Sequence, residues 1–132
     1  MTTPRELPLV QAFVPCREIY EDARSNEYIL IAPFVSIALD NLPGTFRFSL
    51  YLRMVEGRGA YRFGFELRNA KDEQVWDWTV PPPLVFENPL ESLQIALYDI
   101  AIDLKEPGRY QLTLLIEDQP ASHVTLTISS RS

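Results

Sequence analysis

Few residues of this chain have the types and spacing that catalysis requires. His123 is the only histidine and Cys16 the only cysteine. A metal site built from several histidines is therefore impossible, and a Ser/His/Asp or Cys/His arrangement would have to use His123. Because His123 stands at the start of a predicted terminal strand, far in sequence from Cys16, we expect it to face solvent and to be non-catalytic. We expect Cys16 to be a buried structural thiol.

Glycines and carboxylates also lack the patterns of a reaction centre. Residues 56–59, Glu-Gly-Arg-Gly, have neither the spacing nor the following helix of a phosphate-binding loop. A calcium site would need several turn carboxylates to converge with backbone carbonyls. These carboxylates are dispersed along the chain: Glu21, Asp22, Asp72, Glu73, Asp99, Asp103, Glu117 and Asp118. The sequence therefore predicts no catalytic residues, no metal and no cofactor, and a protein that is not an enzyme.

The two tryptophans stand close together in a predicted strand. Trp76 and Trp78 flank Asp77, so both rings project to one side of a strand. Such a pair can stack on sugar rings or cover the core, where large aromatic side chains supply much of the burial. We interpret both tryptophans as core residues, with Asp77 facing outward.

A predicted hairpin places arginines and a tyrosine on one exposed face. Apolar and polar residues alternate over 46–55 and again over 60–68, which indicates one core face and one wet face on each strand. If residues 56–59 form a four-residue loop, Val55 pairs with Ala60. The same register places Arg53 opposite Arg62, Tyr51 opposite Gly64, Ser49 opposite Glu66, and Arg47 opposite Arg68.

This predicted face is the candidate binding surface. Like charges directly opposite each other are unfavourable in a sheet, and arginine offers bidentate geometry to a carboxylate or phosphate. An acidic partner segment or an anion would fit there. The alternative is that Glu66 and Asp77 neutralise the arginines in a solvated mosaic. The candidate binding residues are Arg47, Tyr51, Arg53, Arg62 and Arg68.

The elements that would position these residues are short strands. Strand patterns recur at fairly regular intervals, with Gly, Pro, Asn or Asp between them, which favours an antiparallel sandwich over βαβ units. Two segments in which apolar and polar residues alternate follow Pro107-Gly108-Arg109-Tyr110, with a Pro-containing turn between them. This pattern is typical of the closing hairpin of an immunoglobulin-like sandwich. We predict strands near 8–16, 27–37, 45–55, 60–68, 73–79, 92–103, 108–117 and 122–129.

The predicted fold is all-β: an antiparallel immunoglobulin-like β-sandwich of about seven or eight strands, in a single domain over residues 1–132. Residues 16–26 are interpreted as a long connection that could include a helical turn. A helix competes with a strand over residues 90–103, and β-branched residues favour the strand. Pro33 indicates an edge strand or bulge, and residues 81–83, three prolines, indicate an edge or a strand that changes sheets.

Composition narrows the function classes. The chain has 132 residues, is 46% hydrophobic and carries a net charge of −6. The apolar content excludes intrinsic disorder, and the acidic balance disfavours binding to nucleic acid or an anionic membrane. No apolar run approaches the ~20 residues that span a bilayer, and the N-terminus lacks the apolar region of a signal peptide. With a single cysteine, these features predict a soluble cytoplasmic protein.

Several pieces occur together in an order that is typical of one family. They are 10–16 (an apolar strand ending in Cys16), 20–23, 28–31, Leu42-Pro43, 57–61 and 107–110. On these pieces the chain resembles an uncharacterised family of bacterial cytoplasmic β-sandwich proteins, defined only as a domain of unknown function. Members usually have glycine where this chain has Ala32-Pro33. The resemblance implies the fold and no activity.

The sequence favours a non-enzymatic protein-interaction or assembly module. Its partner would be another protein or a second copy in a homodimer, bound through a sheet edge or through the arginine-bearing face. The alternative is a small-ligand or carbohydrate-binding domain that uses Trp76, Trp78 or Tyr51. An enzyme, with Glu66 or Asp77 and Tyr51 as an acid/base set, would require a concave site around those residues.

Overall fold

The computed structural model describes residues 6–131, which form two β-sheets. No residue in that range is helical, and so the described part contains no helix that could cross a membrane. The strands are β1 (Leu9–Glu21), β2 (Tyr28–Pro33), β3 (Ser36–Leu39), β4 (Gly44–Val55), β5 (Gly59–Arg68), β6 (Gln74–Phe86), β7 (Leu93–Leu104), β8 (Gly108–Ile116) and β9 (Gln119–Ser130).

The two sheets have the strand arrangement of an immunoglobulin-like sandwich. Sheet A has the order β2-β1-β4-β7, and sheet B has the order β3-β9-β8-β5-β6. All pairs are antiparallel except β3 with β9. The described residues thus contain nine strands, and the predicted all-β class is confirmed. The predicted strand at 27–37 is two strands, because the chain passes from the edge of sheet A to the edge of sheet B after Pro33.

The core lies between the sheets and is built by period-two alternation. Every second residue of β4, β5 and β8 is buried, and no buried side-chain nitrogen or oxygen of the described residues lacks a hydrogen-bond partner. Each fully buried Leu or Phe side chain stabilises the fold by roughly 1.5–3 kcal/mol. The buried residues of these strands are Phe46, Phe48, Leu50, Leu52, Met54, Tyr61, Phe63, Phe65, Leu67, Tyr110, Leu112, Leu114 and Ile116.

The predicted hairpin of β4 with β5 is wrong, because the two strands lie in opposite sheets. β4 pairs with β1 and β7, whereas β5 pairs with β6 and β8. Alternation shows which side chains face the interior, but both sheets share the same interior. The pattern is therefore identical for a hairpin and for a connection that crosses between sheets, as in immunoglobulin domains.

Three other segments can be compared with their predicted secondary structure. β1 continues to Glu21, so the predicted connection at 16–26 is wrong over most of its length, and only 22–27 are a turn. β7, at 93–104, confirms the strand predicted near 92–103 over the competing helix. β6 runs through the three prolines and stays beside β5 on both sides of them. The prolines thus lie on an edge strand, within a bulge opposite Arg62. Of the two predicted alternatives, the edge is confirmed and the change of sheet is wrong.

The closing hairpin is confirmed. β8 and β9 are joined by Glu117 and Asp118, which have φ values of 52° and 62°, the left-handed pair of a type I′ turn. The turn precedes Pro120, which lies in β9. At the start of β8, the Tyr110 hydroxyl donates to the Glu106 carbonyl at 2.5 Å, a hydrogen bond of the tyrosine-corner type found in immunoglobulin-like domains.

Candidate functional site

The five predicted binding residues lie on opposite faces of the molecule. Arg47, Tyr51 and Arg53 are on the outer face of sheet A, whereas Arg62 and Arg68 are on the outer face of sheet B. The predicted cross-strand pairs of arginines do not exist, because β4 and β5 are not neighbours. The structure therefore does not assemble one cationic surface from these residues.

Most of these arginines have acidic partners near them. Arg47 Nη1 lies 3.1 Å from Asp99 Oδ1. Arg62 contacts both carboxylates of the β8–β9 turn, at 3.4 and 3.0 Å, and Arg68 Nε lies 3.0 Å from Glu66 Oε1. Arg53 has no ion-pair partner within residues 6–131. Of the two carboxylates predicted to neutralise the arginines, Glu66 pairs with Arg68, whereas Asp77 pairs with no arginine among residues 6–131.

Tyr51 is covered by a neighbouring hairpin. The hairpin of residues 17–33, here called the arm, passes over the outer face of sheet A. The Tyr28 ring centroid lies 5.7 Å from that of Tyr51, and Ile19 is buried. β1 also approaches β7, although β4 lies between them in the sheet. Tyr51 donates its hydroxyl to Gln94 Oε1 at 2.5 Å, so it is not a free binding side chain.

The only cysteine and the only histidine are far from each other. Cys16 is fully buried in sheet A, where its thiol donates to the Ser49 carbonyl at 3.7 Å. Burial raises the pKa of the Cys16 thiol, which keeps it protonated and unreactive. His123 is exposed on β9 in sheet B. Residues 6–131 also contain no cluster of His, Cys, Asp or Glu able to hold a metal ion.

The tryptophans pack on the core and also line an open groove. Trp76 and Trp78 are half-buried on the inner side of β6 and pack against the core cluster. The Trp78 ring stacks on Phe65 with centroids 6.1 Å apart, and the two indoles are 6.4 Å apart with planes tilted by 49°. Asp77 faces outward, as predicted. The core interpretation therefore holds for one side of each ring, and the other side faces the groove.

The groove lies between the free edges of the two sheets. β6 ends sheet B and β7 ends sheet A, and no described strand pairs with the outer side of either one. The wall opposite the tryptophans is formed by Tyr98, Ile100 and Ala101, and the volume there is about 280 Å³. At Tyr98 and Asp99, β7 has a bulge opposite Ser49, with Asp99 at φ 51°. The bulge keeps the Tyr98 side chain exposed beside the groove.

The groove continues along both strands towards Tyr110 and is acidic. Its second part has a volume of about 370 Å³. It is bordered by residues 73–75, at the start of β6, and by residues 103–106, at the end of β7 and in the following turn. Carboxylates outnumber lysines among its described lining residues. The lining charges are Glu73, Asp77, Asp99, Asp103 and Glu106, with Lys71 and Lys105.

Sequence reasoning missed the groove because it could not place β7. The three prolines predicted either an edge strand or a change of sheet, and the tryptophans marked the inner side of β6. Nothing local to residues 93–104 shows that this strand ends the other sheet, so Tyr98, Ile100 and Ala101 could not be recognised as the opposite wall. Their position depends on the pairing of β7 with β4.

Comparison with solved structures finds distant likenesses. An alkylpurine DNA glycosylase from Pseudomonas fluorescens, solved with DNA containing an abasic-site analogue, is 8% identical with a TM-score of 0.46; the match covers 72% of this chain and 28% of the glycosylase. A CARDB domain from Pyrococcus furiosus, solved with di-metal ions, is 9% identical (TM-score 0.42; 97% and 94% covered). An immunoglobulin-like protein from Pseudomonas aeruginosa is 11% identical (TM-score 0.42; 96% and 99% covered).

Comparison of the sequence itself identifies a family without a known activity. No curated protein matches the chain. A family model described as a family of unknown function, DUF6941, matches residues 11–129. This match covers all nine strands except the ends of β1 and β9, and it confirms the resemblance to an uncharacterised β-sandwich family. The chain therefore belongs to the DUF6941 family.

Proposed function

We propose that this protein is a non-enzymatic interaction module that binds an extended segment of a partner protein along β6. The partner strand would extend sheet B, and its side chains would enter the groove between β6 and β7. The observation that carries the proposal is the free edge at residues 74–80, which presents two half-exposed tryptophans to an open groove. We propose a cytoplasmic location because the single cysteine is a free thiol.

The backbone of β6 supports strand addition. An edge strand carries a row of N–H and C=O groups without strand partners, which is the template that an extended peptide pairs with. Residues 74–80 contain no proline, so their outward-facing N–H groups are all available. The three prolines that follow remove donors from the rest of the edge. Docking would therefore be confined to the stretch beside the tryptophans.

The side chains of the groove support a protein ligand more than a sugar. Tryptophan and tyrosine are enriched among the residues that dominate binding energy at protein interfaces. Trp76, Trp78 and Tyr98 supply such anchors beside Ile100. A flat sugar platform would need near-coplanar rings, whereas the two indole planes are tilted by 49°. Nucleic acid is disfavoured by the net charge of −6.

A peptide-display selection tests this proposal. Linear ten-residue peptides would be selected against the folded protein, and amide hydrogen exchange would be measured with and without a selected peptide. We expect new protection in residues 74–80 and a blue shift of tryptophan fluorescence. The Trp76→Ala variant should lose binding at least tenfold, since each tenfold loss corresponds to about 1.4 kcal/mol.

The matched control is Tyr20→Ala. Tyr20 is a 54% exposed aromatic residue on the arm, away from β6, and its removal should leave peptide affinity unchanged. Circular dichroism would show that both variants keep the β-sheet. Protection of β2 in place of β6, or equal binding by wild type and Trp76→Ala, would show that the groove is not the binding site.

A further inference from the structure

We infer that the segment bound along β6 is basic, with a lysine or arginine opposite Asp77 and apolar side chains against the tryptophans. This inference rests on the proposed strand addition and specifies the chemistry of the partner. It follows from three features of the β6 edge: an uncompensated carboxylate, an excess of acidic residues along the groove, and the alternation of side chains along the strand.

Asp77 is the uncompensated carboxylate. In the register of β5 with β6 it lies directly opposite Glu66, and like charges in that position are unfavourable. Glu66 is neutralised by Arg68, whose Nε donates to its carboxylate at 3.0 Å. Asp77 makes no hydrogen bond or ion pair with any residue in the described range 6–131. The position next to Asp77 on the free side of β6 is where a cation would balance this row of charges.

The rest of the groove has the same sign. Asp99 is paired with Arg47. The charges that remain along the groove are Glu73, Asp103 and Glu106 with Lys71 and Lys105, and Asp77 adds a carboxylate on the outer face of β6. An excess of acidic residues along an open groove attracts a basic segment and repels an acidic one. It also disfavours a second copy of this chain, which carries a net charge of −6, as the partner.

Alternation along β6 assigns the two kinds of partner side chain to two faces. Trp76 and Trp78 point into the groove, whereas Val75, Asp77 and Thr79 are exposed on the outer face of sheet B. Paired residues of adjacent strands share a face. Partner residues beside the tryptophans are therefore apolar, and those between them lie next to Asp77. The segment this edge selects alternates apolar with basic residues.

Fluorescence anisotropy with three labelled peptides tests the inference. The probes are eight-residue, end-capped peptides in which valine alternates with lysine, serine or glutamate. We expect the lysine peptide to bind about tenfold more tightly than the serine peptide at 20 mM salt, as several cross-strand charge contacts add up, and the glutamate peptide to bind weakest. The preference should shrink at 200 mM salt because exposed charges are screened.

Variants of Asp77 test whether this residue determines the preference for a basic peptide. Asp77→Asn should weaken the lysine peptide about threefold and leave the serine peptide unchanged, and Asp77→Lys should reverse the preference towards glutamate. Asp40→Lys, the same change beside β3 at the opposite edge of sheet B, is the control and should leave the affinities for the three peptides unchanged.

Equal affinities for the three peptides would overturn the basic-segment inference alone. Absence of binding by all three, or binding that Trp76→Ala leaves intact, would overturn strand addition itself.

Discussion

At the scale of single residues, Tyr110 shows how one side chain holds a corner of the sandwich. Its ring is 5% exposed, and its hydroxyl reaches back four residues to the Glu106 carbonyl. Burial is the largest cause that raises the pKa of this phenol, so the hydroxyl stays a protonated donor through the range in which an exposed tyrosine ionises. Gly108, at φ 140°, allows the chain to make this turn.

Tyr110→Phe should destabilise the protein while preserving the fold. The ring stays buried, but one hydrogen bond is lost, which costs about 1 kcal/mol. Urea denaturation followed by circular dichroism would measure the change. Tyr98→Phe is the control. Tyr98 is 54% exposed, and its hydroxyl forms no hydrogen bond with any residue in the range 6–131. An equal loss of stability in both variants would contradict a special role for the Tyr110 corner.

At the scale of elements, the pairing of β5 with β6 depends on a missing side chain. A Cβ atom on Gly64 would lie 2.4 Å from the Trp78 backbone oxygen, which is closer than van der Waals contact permits. Gly64 therefore lets β6 approach β5 at the level of Trp78 and sets the position of the indole in the groove. The strand interior normally disfavours glycine, so the close approach is the reason for its presence here.

Gly64→Ala should destabilise the protein and move Trp78. Overpacking against a backbone atom costs about 1–3 kcal/mol, and displacement of β6 should shift the tryptophan emission of the native state. Urea unfolding and the native fluorescence spectrum would be recorded together. Thr79→Ala, in the exposed position paired with Gly64, serves as the control. A stable Gly64→Ala protein with unchanged emission would show that the close approach is not required.

At the scale of the whole molecule, the crossing from β4 to β5 separates two exposed faces that the sequence pattern alone would join. Arg53 lies on sheet A and Arg62 on sheet B, with the hydrophobic core between them. We therefore expect the surface that binds the partner at an edge of the sandwich, where both sheets contribute, and not on the outer face of either sheet. The groove between β6 and β7 is such a place.

Arg53→Glu and Arg62→Glu should act independently. Effects of substitutions at distant sites without shared partners add, whereas residues in contact show coupling. The shift of the urea midpoint in the double variant should therefore equal the sum of the two single shifts. Arg62→Glu alone should lower the midpoint, since it places a carboxylate beside Glu117 and Asp118. A marked departure from additivity would mean that the two residues are neighbours after all.

The sequence by itself determined which side chains face the core wherever alternation along a strand is regular. Alternation identified the inward residues of β4, β5, β8 and β9 and the closing hairpin. Prolines, which cannot donate hydrogen bonds, predicted an edge or bulge at β2 and an edge or change of sheet at β6. The sequence also predicted a buried Cys16 and a solvent-facing His123, and the structure places the two residues in different sheets with this burial.

Only the tertiary structure decided which sheet each strand joins. The inward pattern of a strand is the same in either sheet, because both sheets bury their side chains in one shared interior. The choice depends on contacts between residues far apart in sequence, such as Phe65 with Leu114 and Leu52 with Ile95. These contacts separated the predicted arginine face, folded the arm over Tyr51, and brought the edges of β6 and β7 together to form the groove.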